Sequence, residues 1–188
     1  FVPLDAEPRP ELVLATEWGT IKVFRNRGGT FTDATKEWGL DQQPGIWQTL
    51  AAGDFDGDGR FDLLAGNWGL NSHLKHGTKR VPYLVHGDIG GDGMYDALEA
   101  RFELATKRLL PRHRMVTLEL VFPFLRERFP THRRYGSATF QQIFAGQLTG
   151  AKLIKASHLA SVVLLNRGDK FESRALPVEA QLTPVMGA

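Results

Sequence analysis

The sequence has no cysteine, which excludes disulfide bonds, thiolate zinc sites and cysteine nucleophiles. It also has no apolar run near the roughly 18 residues that a membrane-spanning helix needs. The segment Phe1–Asp5 lacks the basic start and the apolar stretch of a signal peptide, and no methionine stands at the first position. We therefore expect the chain to begin inside a longer polypeptide.

Charge of either sign is not in large excess, since 23 lysine and arginine residues face 21 aspartate and glutamate residues and leave a formal net charge of +2. So small a charge does not argue for a nucleic-acid partner. Basic residues do concentrate between Lys107 and Arg134, where only Glu119 and Glu127 oppose eight cations. This segment is interpreted either as a solvated surface or as a site for an anionic polymer.

With 20 glycines and 10 prolines among 188 residues, the sequence is rich in turn-forming residues and favours strands over a helical bundle. Apolar runs bounded by turn residues predict β-strands, and a turn at Asn26–Phe31 leads into a further short strand. The predicted strands cover residues 11–18, 19–25, 46–52, 63–68, 81–86 and 161–165.

The segment 111–155 departs from the strand pattern and predicts short helices. Pro123 suits the first turn of a helix that ends near Phe129. Thr139 and Gln142 have the spacing of a helix capping box. We therefore predict three regions, which are β-sheets with acidic loops over 1–110, a helical insertion over 111–155 and strands of a further sheet over 156–188.

The acidic loop Asp54–Asp62 carries the strongest signal in the sequence. Its first three aspartates alternate with other residues, and two glycines between them allow the backbone to curl. Calcium prefers six to eight oxygen ligands, which such a loop can supply. The loop is not an EF-hand, because both flanks predict strands and Ala65 stands where an EF-hand needs glutamate. The predicted ligands are Asp54, Asp56, Asp58, Asp62 and the carbonyl oxygen of Arg60.

A second acidic loop, Asp88–Asp96, has Gly90 where the first loop has Asp56. Because one carboxylate is missing, this loop is predicted to bind an ion more weakly, and its occupancy stays open. Glu99 does fit the last position of an EF-hand. Residues 81–86 nevertheless predict a strand before the loop, so we do not interpret it as an EF-hand.

Parts of the sequence repeat. Glu11–Gly19 resembles Asp62–Gly69, and Val23–Phe31 resembles Leu164–Phe171. The alignment predicts a degenerate acidic loop near the start of the chain, where too few oxygen ligands remain for an ion. The residues opposite Asp54, Asp56, Asp58 and Gly59 are Pro3, Asp5, Glu7 and Pro8.

The stretch Gly53–Gly66 resembles the FG-GAP, or VCBS-type, repeats of integrin α-subunit propellers. Two further stretches, 62–72 and 161–168, are similar to bacterial secreted repeat proteins of the cartilage-acidic-protein class (ASPIC and UnbV types). The resemblance implies an all-β fold with a helical insertion, namely a partial β-propeller of two to three four-stranded antiparallel blades. It also implies that the remainder of the propeller lies in the parent chain.

The same resemblance implies calcium ligation in both acidic loops. It carries over the five ligands proposed for the first loop. For the second loop it implies the carboxylates of Asp88, Asp92 and Asp96 and the carbonyl oxygen of Met94.

Catalytic patterns are absent from the sequence, which has neither a His-Glu-x-x-His spacing nor a Gly-x-Ser-x-Gly turn. His73 and His76 are interpreted as members of a solvated loop. Trp18, Trp47 and Trp68 are expected to pack in the core instead of stacking on sugar rings. We therefore expect no catalysis by this chain itself.

The resemblance implies a calcium-stabilised extracellular β-propeller module that binds a protein or a glycan. Two alternatives stay open. The propeller could recruit substrate for a larger secreted enzyme, or residues 107–134 could bind an anionic polymer. The expected location is extracellular, periplasmic or on the cell surface, with neither a nucleic-acid partner nor a membrane span.

Overall fold

The computed structural model describes residues 1–71 and 80–187. Within them the chain forms three antiparallel sheets of three or four strands with a few short helices, which confirms the predicted all-β fold with a helical insertion. The strands are β1 (Leu12–Leu14), β2 (Lys22–Asn26), β3 (Phe31–Asp33), β4 (Trp47–Gly53), β5 (Asp62–Asn67), β6 (Arg80–Gly87), β7 (Asp96–Glu103), β8 (Arg108–Pro111), β9 (Lys152–Lys155), β10 (Val162–Asn166) and β11 (Phe171–Ala175). The helices are α1 (Met115–Leu118), α2 (Phe124–Arg128), α3 (His132–Ser137), α4 (Phe140–Ile143) and a 3₁₀ turn at Val178–Gln181.

The chain divides into two compact units. The first consists of residues 1–75 and 156–188, and the second consists of residues 76–155. The predicted boundary at residue 155 therefore lies at the edge of a unit, whereas the predicted boundary at residue 110 lies inside the second unit. The second acidic loop belongs with the helices in this second unit.

The first unit contains a four-stranded sheet in the order β4-β5-β10-β11. Neighbours in space are also neighbours in sequence, except that residues 76–155 are inserted between β5 and β10. Ala65 of β5 pairs with Val162 of β10 across that insertion. An antiparallel four-stranded meander of this kind is the arrangement of a propeller blade.

The first unit also contains the three-stranded sheet β1-β2-β3. Strand β1 ends at Leu14, earlier than the predicted residue 18. The chain turns there because the Thr16 hydroxyl donates to the carbonyl of Thr20 at 2.8 Å. The carbonyl of Thr16 then accepts from the N–H of Trp47 at 3.1 Å, so the end of the predicted strand pairs outside this sheet.

The core of the first unit is formed by apolar residues from both of its sheets. Trp38 and Trp47 are each only 2 % exposed. Trp18 and Trp68 pack against a smaller cluster made by Ile46, Ala156 and Leu159. The prediction that Trp18, Trp47 and Trp68 pack in the protein is confirmed.

The second unit packs its helices on a sheet in the order β8-β7-β6-β9. The helical segment is shorter than 111–155, because β9 is a strand that pairs with β6. Pro123 precedes α2, as predicted. Thr139 and Gln142 form both hydrogen bonds of the predicted capping box at α4. Across the described ranges, none of the helices has the length and apolar character needed to cross a membrane.

Candidate metal centre

The acidic loop Asp54–Asp62 joins the antiparallel strands β4 and β5, and its ends are held together where Gly53 pairs with Asp62. Gly57 and Gly59 have backbone φ angles of 80° and 84°. Residues with a Cβ atom rarely adopt these values, whereas glycine does so at little cost. The two glycines therefore provide the curl that brings alternate aspartates to one side of the loop.

The carboxylate of Asp54 organises this curl through the loop backbone. One of its oxygens accepts from the N–H groups of Gly57 at 2.7 Å and Asp58 at 3.1 Å. The other oxygen accepts from the N–H of Gly59 at 2.9 Å. The loop is thus shaped by its own first aspartate.

Carboxylate oxygens of Asp54, Asp56 and Asp58 lie within 4.8 Å of one another on the exposed side of the loop. Two oxygens on opposite sides of a calcium ion are about 5 Å apart, because each calcium–oxygen distance is about 2.3–2.6 Å. The three carboxylates therefore fit around one such ion. They are hard oxygen donors, the type that calcium prefers.

Asp62 is fully buried and does not belong to this cluster. One of its carboxylate oxygens accepts from the N–H of Phe55 at 2.9 Å, and the other accepts from the N–H of Asn166 at 2.8 Å. Its carboxylate thereby ties the loop to the end of β10. Arg60, predicted to ligate through its carbonyl, directs its side chain to the Asp58 carboxylate and to the Asn166 carbonyl.

Arg167 is a site residue that the sequence analysis missed. Its Nη1 atom lies 2.7 Å from Asp56 Oδ2 and 3.7 Å from Asp58 Oδ2. The hydrogen bond from Arg167 lowers the pKa of Asp56 from its ordinary value. Arg167 belongs to the repeated Asn-Arg-Gly segment of the β10–β11 turn, and that repeat was the signal available in the sequence.

The second acidic loop, between β6 and β7, repeats the backbone hydrogen bonds of the first. Asp88 accepts from the N–H groups of Gly91 at 2.7 Å, Asp92 at 3.1 Å and Gly93 at 3.1 Å. Asp96 accepts from the N–H groups of Ile89 and Gly90, both at 2.9 Å. Met94, whose carbonyl was a predicted ligand, donates its own N–H to Asp92. The loop has the same shape as the first with one carboxylate fewer.

The degenerate loop near the start of the chain keeps part of the same pattern. Glu11 is buried and accepts from the N–H of Leu4 at 3.0 Å, a separation of seven residues, as for Asp62 and Phe55. Arg27 lies 3.5 Å from Glu7, as Arg167 lies beside the first acidic loop. The alignment of this segment with the first loop is therefore a structural equivalence, in which two prolines replace an aspartate and a glycine.

A profile of the FG-GAP-like repeat family matches residues 4–65. The chain carries an FG-GAP-like repeat. Its match runs from the degenerate loop through β1–β3 and the first acidic loop into β5.

The chain is also similar in sequence to a human protein. Over 67 residues, or 35 % of this chain, the sequence is 34 % identical to human cartilage acidic protein 1. The chain spans about 10 % of the length of that relative. No solved structure is significantly similar to the chain.

Outside the FG-GAP-like repeat, the basic segment 107–134 is partly engaged in contacts within the protein. Arg126 forms an ion pair with Glu119, and Arg128 donates to the carbonyl of Ile143 at 2.8 Å. Arg108 donates to the carbonyl of Ser137. His73 and His76, interpreted as members of a solvated loop, lie outside the described residues.

Proposed function

We propose that the chain is a calcium-stabilised β-propeller module that binds an extracellular protein or glycan and performs no catalysis of its own. The observation that carries this proposal is the convergence of Asp54, Asp56 and Asp58 within 4.8 Å at the loop between β4 and β5. The FG-GAP-like repeat supports an interaction module of the propeller type. Calcium, the extracellular location and the kind of partner are the parts of the proposal that require experiment.

Calcium would act here by linking three mutually repelling carboxylates. The unfolded chain has no comparable arrangement, so an ion that binds only the folded loop stabilises the fold. At a calcium concentration about 100 times the dissociation constant, this linkage is worth about 2.7 kcal/mol. For a chain of this size that corresponds to a rise in melting temperature of roughly 5–11 °C. We assign to the first loop the role of a structural site that holds the blade edge in one conformation.

We propose an ion site in the second loop as well, because its backbone hydrogen bonds repeat those of the first. Asp88, Asp92, Asp96 and the carbonyl of Met94 are proposed as a weaker site, because no carboxylate stands at Gly90. Asp62 and Arg60 remain proposed ligands of the first site. To reach an ion, Asp62 would have to leave its buried position, where its oxygens accept from the N–H groups of Phe55 and Asn166.

The deciding experiment compares calcium titration of the unmodified chain with that of Asp56→Asn. We expect calorimetry to detect calcium binding, and we expect the melting temperature to be higher in millimolar calcium than in chelator. Asp56→Asn removes one cluster charge with almost no change in shape, so it should remove most of this shift. Asp169→Asn is the matched control, because Asp169 is exposed in the neighbouring β10–β11 turn and does not belong to the cluster. Melting curves that coincide in calcium and in chelator would refute the calcium assignment.

A further inference from the structure

The second unit contains a small cavity of about 210 Å³ beside the ends of β7 and β8. It is smaller than the roughly 300–1,000 Å³ clefts that hold drug-sized ligands. Basic and aromatic side chains dominate its lining. These side chains belong to Arg101, Arg112, His113, Arg114 and Tyr135.

Three nitrogen atoms from these side chains are buried and have no hydrogen-bond partner among the described residues: Arg101 Nε, Arg112 Nη1 and His113 Nδ1. Arg101 lies in β7, directly opposite Leu110 of β8. Arg112 and His113 follow β8 without a break. The pairing of β7 with β8 therefore brings the side chains that carry these nitrogens to the lining of one cavity.

The cavity carries an excess of positive charge. Arg112 has one acidic neighbour, Glu99, whose Oε2 lies 3.4 Å from Nη1 without the geometry of a hydrogen bond. Arg101 and Arg114 have no ion pair among the described residues. The Tyr135 hydroxyl is already used, since it donates to the carbonyl of His113 at 2.8 Å. Among the described residues, the three guanidinium groups therefore have a single carboxylate partner, which is Glu99 beside Arg112.

We propose that this cavity binds an oxyanion, either a sulfate or phosphate group or a carboxylate, through Arg101, Arg112 and His113. A buried donor without a partner is unfavourable, and buried polar groups in folded proteins are almost always paired. Guanidinium groups have five N–H donors and no acceptor, so the partner must supply acceptor oxygens. Planar guanidinium forks match both carboxylates and tetrahedral oxyanions.

The oxyanion site is independent of the proposed calcium site. It lies in the second unit and uses none of the acidic-loop residues. An anion site here would give the inserted segment a binding role that the proposed function does not include. Measurements of anion binding in the presence of calcium and again in chelator separate the two proposals, because the anion response is expected in both buffers.

The test follows the arginine Nε–H signals by nuclear magnetic resonance while sodium sulfate, sodium phosphate or sodium acetate replaces sodium chloride at constant ionic strength. Phosphate is used only in the chelator series. We expect saturable shifts of the Arg101 signal, which is assigned by its loss in Arg101→Lys. The anion that shifts the Arg101 signal at the lowest concentration shows whether the site prefers a sulfate, a phosphate or a carboxylate group. An Arg101 signal that stays in place with all three anions would mean that water alone fills the cavity and would overturn the proposal.

Two variants separate a specific site from a general salt effect, since sulfate stabilises many proteins by exclusion from their surface. Arg101→Met should leave the melting temperature in chloride unchanged or raised, and should weaken anion binding by about tenfold or more. Arg126→Gln is the matched control, because Arg126 is exposed and pairs with Glu119 away from the cavity. Equal stabilisation by sulfate in the unmodified chain and in Arg101→Met would also overturn the proposal.

Discussion

Arg167 donates a hydrogen bond to Asp56 across 2.7 Å, so a guanidinium group lies beside the carboxylates that were predicted to hold calcium. The hydrogen bond to Asp56 is also the main cause of the raised pKa of Arg167. Arg167 therefore remains charged and supplies part of the countercharge that the acidic loop needs. Any calcium ion must bind next to this fixed positive charge.

The first prediction concerns this countercharge. Arg167→Met should increase the calcium affinity of the loop by about two- to fivefold, because it removes repulsion between the ion and the guanidinium group. The same change should lower the melting temperature in chelator, because Arg167 is one of the two cations, with Arg60, that pair with the loop carboxylates. Calorimetry and thermal melts measure the two effects. Arg174→Met is the control, because Arg174 bonds to Glu172 and has no ion pair with the loop among the described residues. Unchanged affinity in Arg167→Met would mean that the guanidinium group does not compete with the ion.

The second prediction is a gain of function in the second loop. A Cβ atom at Gly90 would lie 3.5 Å from the Asp92 carboxylate, which is an ordinary contact, so a side chain fits there. Gly90→Asp should restore the third carboxylate and strengthen calcium binding at this loop.

Gly90→Ala provides the control for the second prediction, because it adds the Cβ atom without the charge. Mass spectrometry under native conditions counts the bound ions. We expect an additional calcium ion in Gly90→Asp at concentrations where the unmodified chain and Gly90→Ala have none at this loop. Equal ion counts in all three proteins would show that the missing carboxylate is not what limits the second site.

Local sequence was sufficient to predict the features that depend on residues close together in the chain. The capping box of Thr139 and Gln142 spans three positions, and the cluster of the first loop spans Asp54 to Asp58. Both depend on side chains that bond to nearby backbone groups. For the same reason, Asp88 and Asp92 in the second loop accept hydrogen bonds from the same backbone positions as Asp54 and Asp58 in the first.

Features that depend on distant contacts could not be predicted in this way. Asp62 stands where the spacing predicts a further carboxylate ligand, but its carboxylate accepts from the N–H of Asn166, which lies 104 positions away. Arg167 reaches the loop by the same approach of β10 to β5. Strands β5 and β10 pair with each other, so the residues between them form an inserted unit that includes β6. No local sequence pattern marks that pairing.

The third prediction separates the structural role of Asp62 from ion binding. Asp62→Ala would leave the N–H groups of Phe55 and Asn166 without their buried acceptor. Each such group costs about 1–3 kcal/mol, so we expect the free energy of unfolding to fall by about 2–6 kcal/mol. Because calcium is not the cause, urea denaturation should show this loss in chelator as well. Asp62→Asn keeps one acceptor oxygen, so its free energy of unfolding should fall by less than that of Asp62→Ala. If the free energy of unfolding fell only in the presence of calcium, the main role of Asp62 would be to bind the ion.

The fourth prediction concerns alkaline pH. Burial of the Tyr135 hydroxyl raises the pKa of Tyr135 to about 12, above the ordinary value of about 10. The protonated phenol is therefore favoured by folding, and this stabilisation is complete below about pH 10 and is lost as the pH rises through about 12. Absorbance titration of tyrosinate should show a late ionisation near pH 12. Tyr135→Phe should remove that late step and reduce the decline in melting temperature between these pH values. Tyr95→Phe, which changes an exposed tyrosine, should leave the late ionisation and the decline in melting temperature unchanged. A late ionisation that persists in Tyr135→Phe would contradict the assignment.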